Sequence, residues 1–130
     1  MSKAPLIAIV EDDDFFRESM RRLMRSLGYT VEAFPSAADF LASGRLGETA
    51  CLIADIQMPG MTGLELYARL IEVGNKIPTL LVTAYPDEAR RARALKDGIV
   101  CYLLKPFDDN DLVDCVRKAV EGGKPPAENS

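Results

Sequence analysis

Histidine is absent from this 130-residue chain, which removes imidazole from every metal-binding and acid–base scheme. Any chemistry here belongs to carboxylates, hydroxyls and amines. Cysteine is scarce: Cys51, Cys101 and Cys115 are odd in number and form no C-x-x-C pair, so they read as small buried thiols in a reducing cytosol. Long apolar runs are missing too. No stretch approaches the roughly 18 to 20 residues needed to span a bilayer. Met1-Ser2-Lys3 leads straight into a strand-like run instead of a signal peptide, so a cytoplasmic protein without membrane contact is expected. Positive charge is in deficit: 16 Lys and Arg against 20 Asp and Glu give a net charge of −4 and a pI near 4.9. That balance argues against direct nucleic-acid binding, although basic residues cluster locally on predicted helices. No internal repeat suggests a solenoid.

What is present suits one domain. A hydrophobic content of 48% is enough to bury one core without disulfides or structural metals. Four short apolar runs, residues 6–10, 51–54, 79–82 and 101–104, lack alternation and read as central parallel strands covered on both faces. Residues 30–34 alternate around Glu32, which fits an edge strand half open to water. Helical patterns lie between: Phe16, Met20, Leu23, Met24 and Leu27 share one face, as do Ala37, Phe40 and Leu41, then Tyr67, Leu70 and Ile71. Gly28 closes the first helix, Ser36 can cap the second, Pro86-Asp87 can introduce the fourth, and Asp108 can cap the fifth, whose inner face is Leu112, Val113, Val116 and Val120. Five βα units with right-handed crossovers give an α/β fold, a doubly wound parallel sheet for which the order 2-1-3-4-5 is one of two common solutions. Residues 4–121 form this domain, and 122–130, with two prolines and no apolar periodicity, read as a flexible tail or linker.

In that order the first and third strands are neighbours, so Glu11, Asp12 and Asp55 converge where two apolar strands end in acid. Ligands in such sheets bind at the carboxyl ends of the strands, beside the switch point. Two unit charges about 4 Å apart repel by about 1 kcal/mol in water and about 4 kcal/mol at a surface-like dielectric, so the cluster needs a cation. Oxygen-only ligands point to a hard ion, and Mg2+, which takes one or two carboxylates plus a phosphate oxygen, fits better than zinc. The fourth strand delivers Thr83 and the fifth delivers Lys105 to the same edge. Mg2+ and Lys105 would neutralise two oxygens of a phosphoryl group in transfer, Thr83 would hydrogen-bond a third, and Asp55 would be the nucleophile. Read singly, these residues have plainer roles. Asp13 and Asp14 cap and charge the first helix, Thr83 alone is a strand terminus, and Tyr102 alone is a core tyrosine with its hydroxyl at the rim. Arg17, Arg21, Arg22 and Arg25 form by default a solvated face. Arg90, Arg91 and Arg93 do likewise, with pairing to acids across a dimer as the alternative, and Phe107 reads as packing.

The chain resembles the receiver domain of two-component response regulators, the CheY-like family. The resemblance runs from residue 6 to 120. It is carried by Glu11-Asp12, by the segment from Leu52 through Asp55-Ile56-Gln57-Met58-Pro59-Gly60-Met61-Thr62 to Gly63, by Thr83-Ala84, and by Lys105-Pro106-Phe107. The resemblance implies that Asp55 is the phosphoacceptor, Asp12 a direct Mg2+ ligand, Glu11 a ligand acting through water, and the backbone carbonyl of Gln57 a third protein ligand. It implies that Thr83 and Lys105 bind phosphoryl oxygens and that the bond before Pro106 is cis. Tyr102 would then be an aromatic switch that turns inward when Thr83 moves, with Ala84 leaving it room. Many receivers begin with Asp-Asp where this chain has Glu11. Gln57 and Tyr85, two positions after Asp55 and Thr83, would tune phosphate lifetime.

The implied partner is a histidine kinase or phosphotransfer domain, docked in part by the first helix. Phosphorylation would bias the fourth helix, fifth strand and fifth helix, with homodimer formation through that surface as an expectation. Met58 to Gly63 and the ending Lys105-Pro106-Phe107-Asp108 resemble regulators that join a receiver to a helix-turn-helix activator, so control of transcription through an output domain outside this chain is expected. A stand-alone regulator or a relay acting by protein binding is the alternative. Flavin binding on the same fold is disfavoured because the first strand leads into acids, where a phosphate cradle needs Gly, Ser and Thr. An independent phosphatase would need a second acid placed as acid/base near Asp55. A receiver-like module that never takes a phosphate would normally lack Asp55 or Lys105.

Overall fold

The computed structural model describes residues 4–122. It runs β1 (Leu6–Val10), α1 (Asp14–Ser26), β2 (Thr30–Phe34), α2 (Ala37–Leu41), a 3-10 turn at Leu46–Glu48, β3 (Thr49–Asp55), α3 (Gly63–Glu72), β4 (Thr79–Thr83), α4 (Glu88–Lys96), β5 (Cys101–Leu104) and α5 (Asp109–Gly122). The strands pair in parallel in the order β2-β1-β3-β4-β5. β1, β3 and β4 are buried because each sends successive side chains to opposite covered faces. Ile7, Ile9, Cys51, Ile53, Leu80 and Val82 pack with Met20 and Met24 of α1 and Leu112, Val116 and Ala119 of α5. Ala8, Val10, Leu52, Ala54 and Leu81 pack on the other side with Phe40, Leu66, Leu70 and Ala94, so α2, α3 and α4 cover that face. Each large apolar side chain fully buried in this way contributes about 1.5–3 kcal/mol.

The helix starts follow local chemistry. Asp13, Ser36, Thr62 and Asp87 each accept a hydrogen bond from a backbone N–H in the first turn of α1, α2, α3 and α4, and Asp108 accepts one from Asn110 at the start of α5. At Thr62 the capping box is reciprocal, because Glu65 returns a bond to the Thr62 N–H. Gly28 ends α1 with φ 94°, a left-handed conformation that favours glycine.

Four expectations are corrected. β5 is the second edge strand, half-buried at Cys101, Tyr102 and Leu103 and exposed at Leu104, since nothing pairs beyond it among the described residues. Leu27 and Ile71 are exposed: the stripe α3 turns inward is Gly63, Leu66 and Leu70, and Ile71 lies 100° past its last member. Cys101 and Cys115 are half-buried and joined as a disulfide, because α5 packs along β5 and brings their Cα atoms to 6.1 Å, a span such a bond bridges. Cys51 alone remains a buried thiol, pushed up to about 12 by burial. Gly122, read as the first tail residue, belongs to α5, and 123–130 lie outside the described residues. Arg90 and Arg91 lie near Asp87 and Glu88 of their own helix, at 3.8 and 3.1 Å.

Candidate functional site

The register of the sheet builds the site. Val10 is level with Ala54, so Glu11 and Asp55, the next residue on each strand, emerge side by side. Asp55 is level with Val82, and Thr83 with Leu104, so Thr83 and Lys105 end the next two strands at the same edge. Backbone bonds fix these ends: the Glu11 N–H donates to the Phe34 carbonyl, Ile56 N–H to Val82 and Lys105 N–H to Thr83. The Lys105–Pro106 peptide bond is cis.

Glu11, Asp12 and Asp55 each offer a carboxylate oxygen, and the three lie within 4.8 Å of one another. Glu11 and Asp55 are buried, whereas Asp12 is exposed. Lys105 answers the two buried charges, its ammonium donating to Glu11 Oε1 at 2.9 Å and lying 3.4 Å from Asp55 Oδ2. Glu11 Oε2 accepts from the Asp13 N–H at 3.1 Å. Burial nevertheless dominates at Glu11 and, helped by the neighbouring Asp55 charge, raises its carboxyl to about 7 against the lowering pull of Lys105 and the Asp13 N–H. Burial alone would lower the Lys105 ammonium, but its bonds and attraction to Glu11 and Asp55 outweigh that and leave it raised. One cation is therefore shared by two buried acids, and the donor set of three carboxylates suits a hard divalent ion that would complete the neutralisation.

The raised carboxyl has a measurable consequence. A carboxyl whose folded pKa exceeds its unfolded value near 4.5 binds its proton more tightly when folded. Its stabilising contribution is full below that unfolded value and is lost as pH rises through about 7. In metal-free protein, urea denaturation should show wild type losing stability across this window relative to Glu11→Gln, which keeps an acceptor for Lys105 without the charge. Parallel curves for the two proteins would refute the assignment.

Thr83 is buried, and its hydroxyl is engaged twice: it donates to Gln57 Oε1 at 2.6 Å and accepts from the Tyr85 N–H at 3.1 Å. Tyr102 stands apart from the acids. It is level with Leu81, packs against the α4 side of the sheet, and encloses its hydroxyl without a hydrogen-bond partner among the described residues.

Three contacts had no signal in the sequence. The Phe16 ring lies 4.4 Å from the Lys105 ammonium and packs on Phe107 at 6.1 Å, so residues that read as core and packing also wall the lysine. Arg17, read as solvated, donates to the Glu11 backbone carbonyl at 2.8 Å and pairs with Asp14. The Gln57 side chain holds Thr83, a bond that neither its expected role as a carbonyl ligand nor its expected influence on phosphate lifetime implies. Apart from the i,i+3 pair of Arg17 with Asp14, periodicity flags none of these, because each depends on the rotamer of a side chain in the first turn of α1 or in the loop after β3.

Over residues 7–117 the chain matches the response regulator receiver domain family. Nodulation protein W of Bradyrhizobium diazoefficiens is 38% identical over 120 residues, 92% of this chain and 53% of that protein. Response regulator protein TodT of Pseudomonas putida is 35% identical over 119 residues, 92% of this chain and 52% of that protein. Among solved structures, response regulator StyR superposes with a TM-score of 0.86 at 37% identity, covering 92% of this chain and 61% of that one. The chain spans about half the length of the curated relatives it matches. Among the described residues no helix is long and apolar enough to cross a membrane. With its 2-1-3-4-5 parallel sheet and its acidic edge, the chain belongs to the receiver domain family of two-component response regulators, a family of signalling domains.

Proposed function

We propose that Asp55 accepts a phosphoryl group from the phosphohistidine of a kinase or phosphotransfer domain. The observation that carries this reading is the convergence of Glu11, Asp12 and Asp55 within 4.8 Å under the Lys105 ammonium. An Asp55 carboxylate oxygen attacks phosphorus, the P–N bond to the donor imidazole breaks, and its electron pair stays with the imidazole. Glu11, Asp12, Asp55 and the Gln57 carbonyl would hold Mg2+, which when bound supplies positive charge against the transferring oxygens. Lys105 turns from Glu11 and Asp55 to one phosphoryl oxygen, and Thr83 donates its hydroxyl to another. These side chains end neighbouring strands at one edge, so the adjustments that transfer requires are the turn of Lys105 away from the acids and the release of the Thr83 hydroxyl from Gln57.

The new charge then biases α4, β5 and α5, with Tyr102 as the moving aromatic and pairing of two copies through that surface as one outcome. The domain spans residues 4–122 and works in the cytoplasm, and its output is control of transcription through a domain outside this chain. Self-phosphorylation from small donors and self-dephosphorylation complete its chemistry. Acetyl phosphate with Mg2+ should therefore add one phosphoryl group, read by intact-mass spectrometry, and EDTA should abolish the adduct. A folded, metal-binding protein that takes no phosphoryl group would instead be a non-phosphorylated binding module.

A further inference from the structure

We propose that the Gln57 side chain is a latch on Thr83 that opposes the phosphorylated state. This rests on the reading above and assigns a positioning residue within the same site. The Thr83 hydroxyl has one proton, and that proton is committed to Gln57 Oε1 at 2.6 Å. Its oxygen is also occupied, accepting from the Tyr85 N–H at 3.1 Å. A hydroxyl so engaged cannot donate to a phosphoryl oxygen until the Gln57 bond breaks, so Gln57 and the phosphoryl group compete for a single hydrogen.

The placement sharpens the competition. Gln57 lies two residues beyond Asp55, in the loop that leaves β3, and the bond crosses 26 residues of sequence to the end of β4. Thr83 itself is fully buried, so water does not readily replace Gln57 as its acceptor. Whatever stability the bond lends the resting arrangement is subtracted from the affinity for a phosphoryl group, because a ligand shifts a two-state equilibrium only by its differential binding to the two states. A neutral hydrogen bond of ordinary net strength corresponds to roughly 3- to 10-fold in an equilibrium constant.

The test uses beryllofluoride, a stable mimic of the phosphoryl group, titrated with Mg2+ into 15N-labelled protein and followed by amide resonances. Four proteins are compared: wild type, Gln57→Met, Thr83→Ala and the double variant. Methionine keeps the length of glutamine and removes the strong acceptor. The latch predicts that Gln57→Met binds the mimic roughly 3- to 10-fold more tightly than wild type. It also predicts that the same substitution changes nothing in the Thr83→Ala background, where there is no hydroxyl to hold. A gain that persists without Thr83, or affinity in Gln57→Met equal to or weaker than wild type, overturns the latch and leaves Gln57 as a loop staple. Thermal unfolding of all four proteins without ligand guards against misfolding. No binding by wild type, together with no phosphoryl adduct from acetyl phosphate, overturns the phosphoacceptor reading itself and the latch with it. An adduct on wild type with unchanged affinity in Gln57→Met sinks the latch alone.

Discussion

Replacing Lys105 with alanine should slow phosphoryl uptake from acetyl phosphate by about 100- to 1,000-fold, the usual cost of removing one preorganised donor aimed at developing negative charge. The geometry explains the size. The ammonium sits 2.9 Å from Glu11 Oε1 and 3.4 Å from Asp55 Oδ2, walled by the Phe16 ring, so it reaches the incoming group by a short turn from a fixed stem. Without it, Glu11 and Asp55 face each other with no protein cation between them, and removing one partner of a buried pair is costly because a buried charge is left uncompensated. Lys105→Arg keeps the charge but presents a planar fork to a site now contacted by one ammonium, and should recover only part of the rate. Initial rates by intact-mass spectrometry at neutral pH decide the matter. An alanine variant within about threefold of wild type would remove Lys105 from the chemistry.

A second large effect belongs to a glycine. Gly63 opens α3 directly behind Asp55: a Cβ there would meet the Asp55 carbonyl oxygen at 2.5 Å, the Asp55 carbonyl carbon at 3.0 Å and Leu81 Cδ2 at 3.2 Å. The closest of these contacts is backbone and cannot rotate away. Gly63→Ala must therefore push the start of α3 off the end of β3, straining the Gly63 N–H bond to the Ile56 carbonyl, now 3.1 Å. Alanine's better helix propensity is worth at most about 1 kcal/mol and less at a helix terminus. Overpacking of this kind costs about 1–3 kcal/mol or more. The expected result is a net loss of about 2 kcal/mol in urea denaturation, accompanied by slower phosphoryl uptake because Asp55 is displaced. Unchanged stability would mean that the α3–β3 packing yields more easily than the contact distances indicate.

These two positions show what was legible in the chain and what was not. Unbroken apolar runs announced β1, β3 and β4, and the rules for parallel crossovers then ordered the sheet well enough to bring Glu11 and Lys105 together across 94 residues. Strand ends are readable because a run of Ile, Leu and Val that stops at an acid, a hydroxyl or a lysine fixes where that side chain emerges. Edge status was harder: 101–104 is as apolar as an interior strand, yet among the described residues β5 has a neighbour on one side only. The Cys101–Cys115 bridge was hidden because a strand-to-helix pairing leaves no spacing motif. Gly63 appeared only as part of a motif, since its reason, the close approach of the Asp55 backbone, is a tertiary fact. The Gln57–Thr83 bond and the Phe16 wall depend on individual side-chain rotamers, which neither period nor propensity encodes.

The most direct test of the account is to locate the phosphoryl group. After exposure to acetyl phosphate and Mg2+, borohydride reduces an aspartyl phosphate to homoserine, and peptide mass mapping then reads which carboxylate was modified. The account predicts reduction at Asp55 alone, with none in Asp55→Asn. Reduction at Asp12, Asp13 or Asp14, or an adduct that persists in Asp55→Asn, would contradict it.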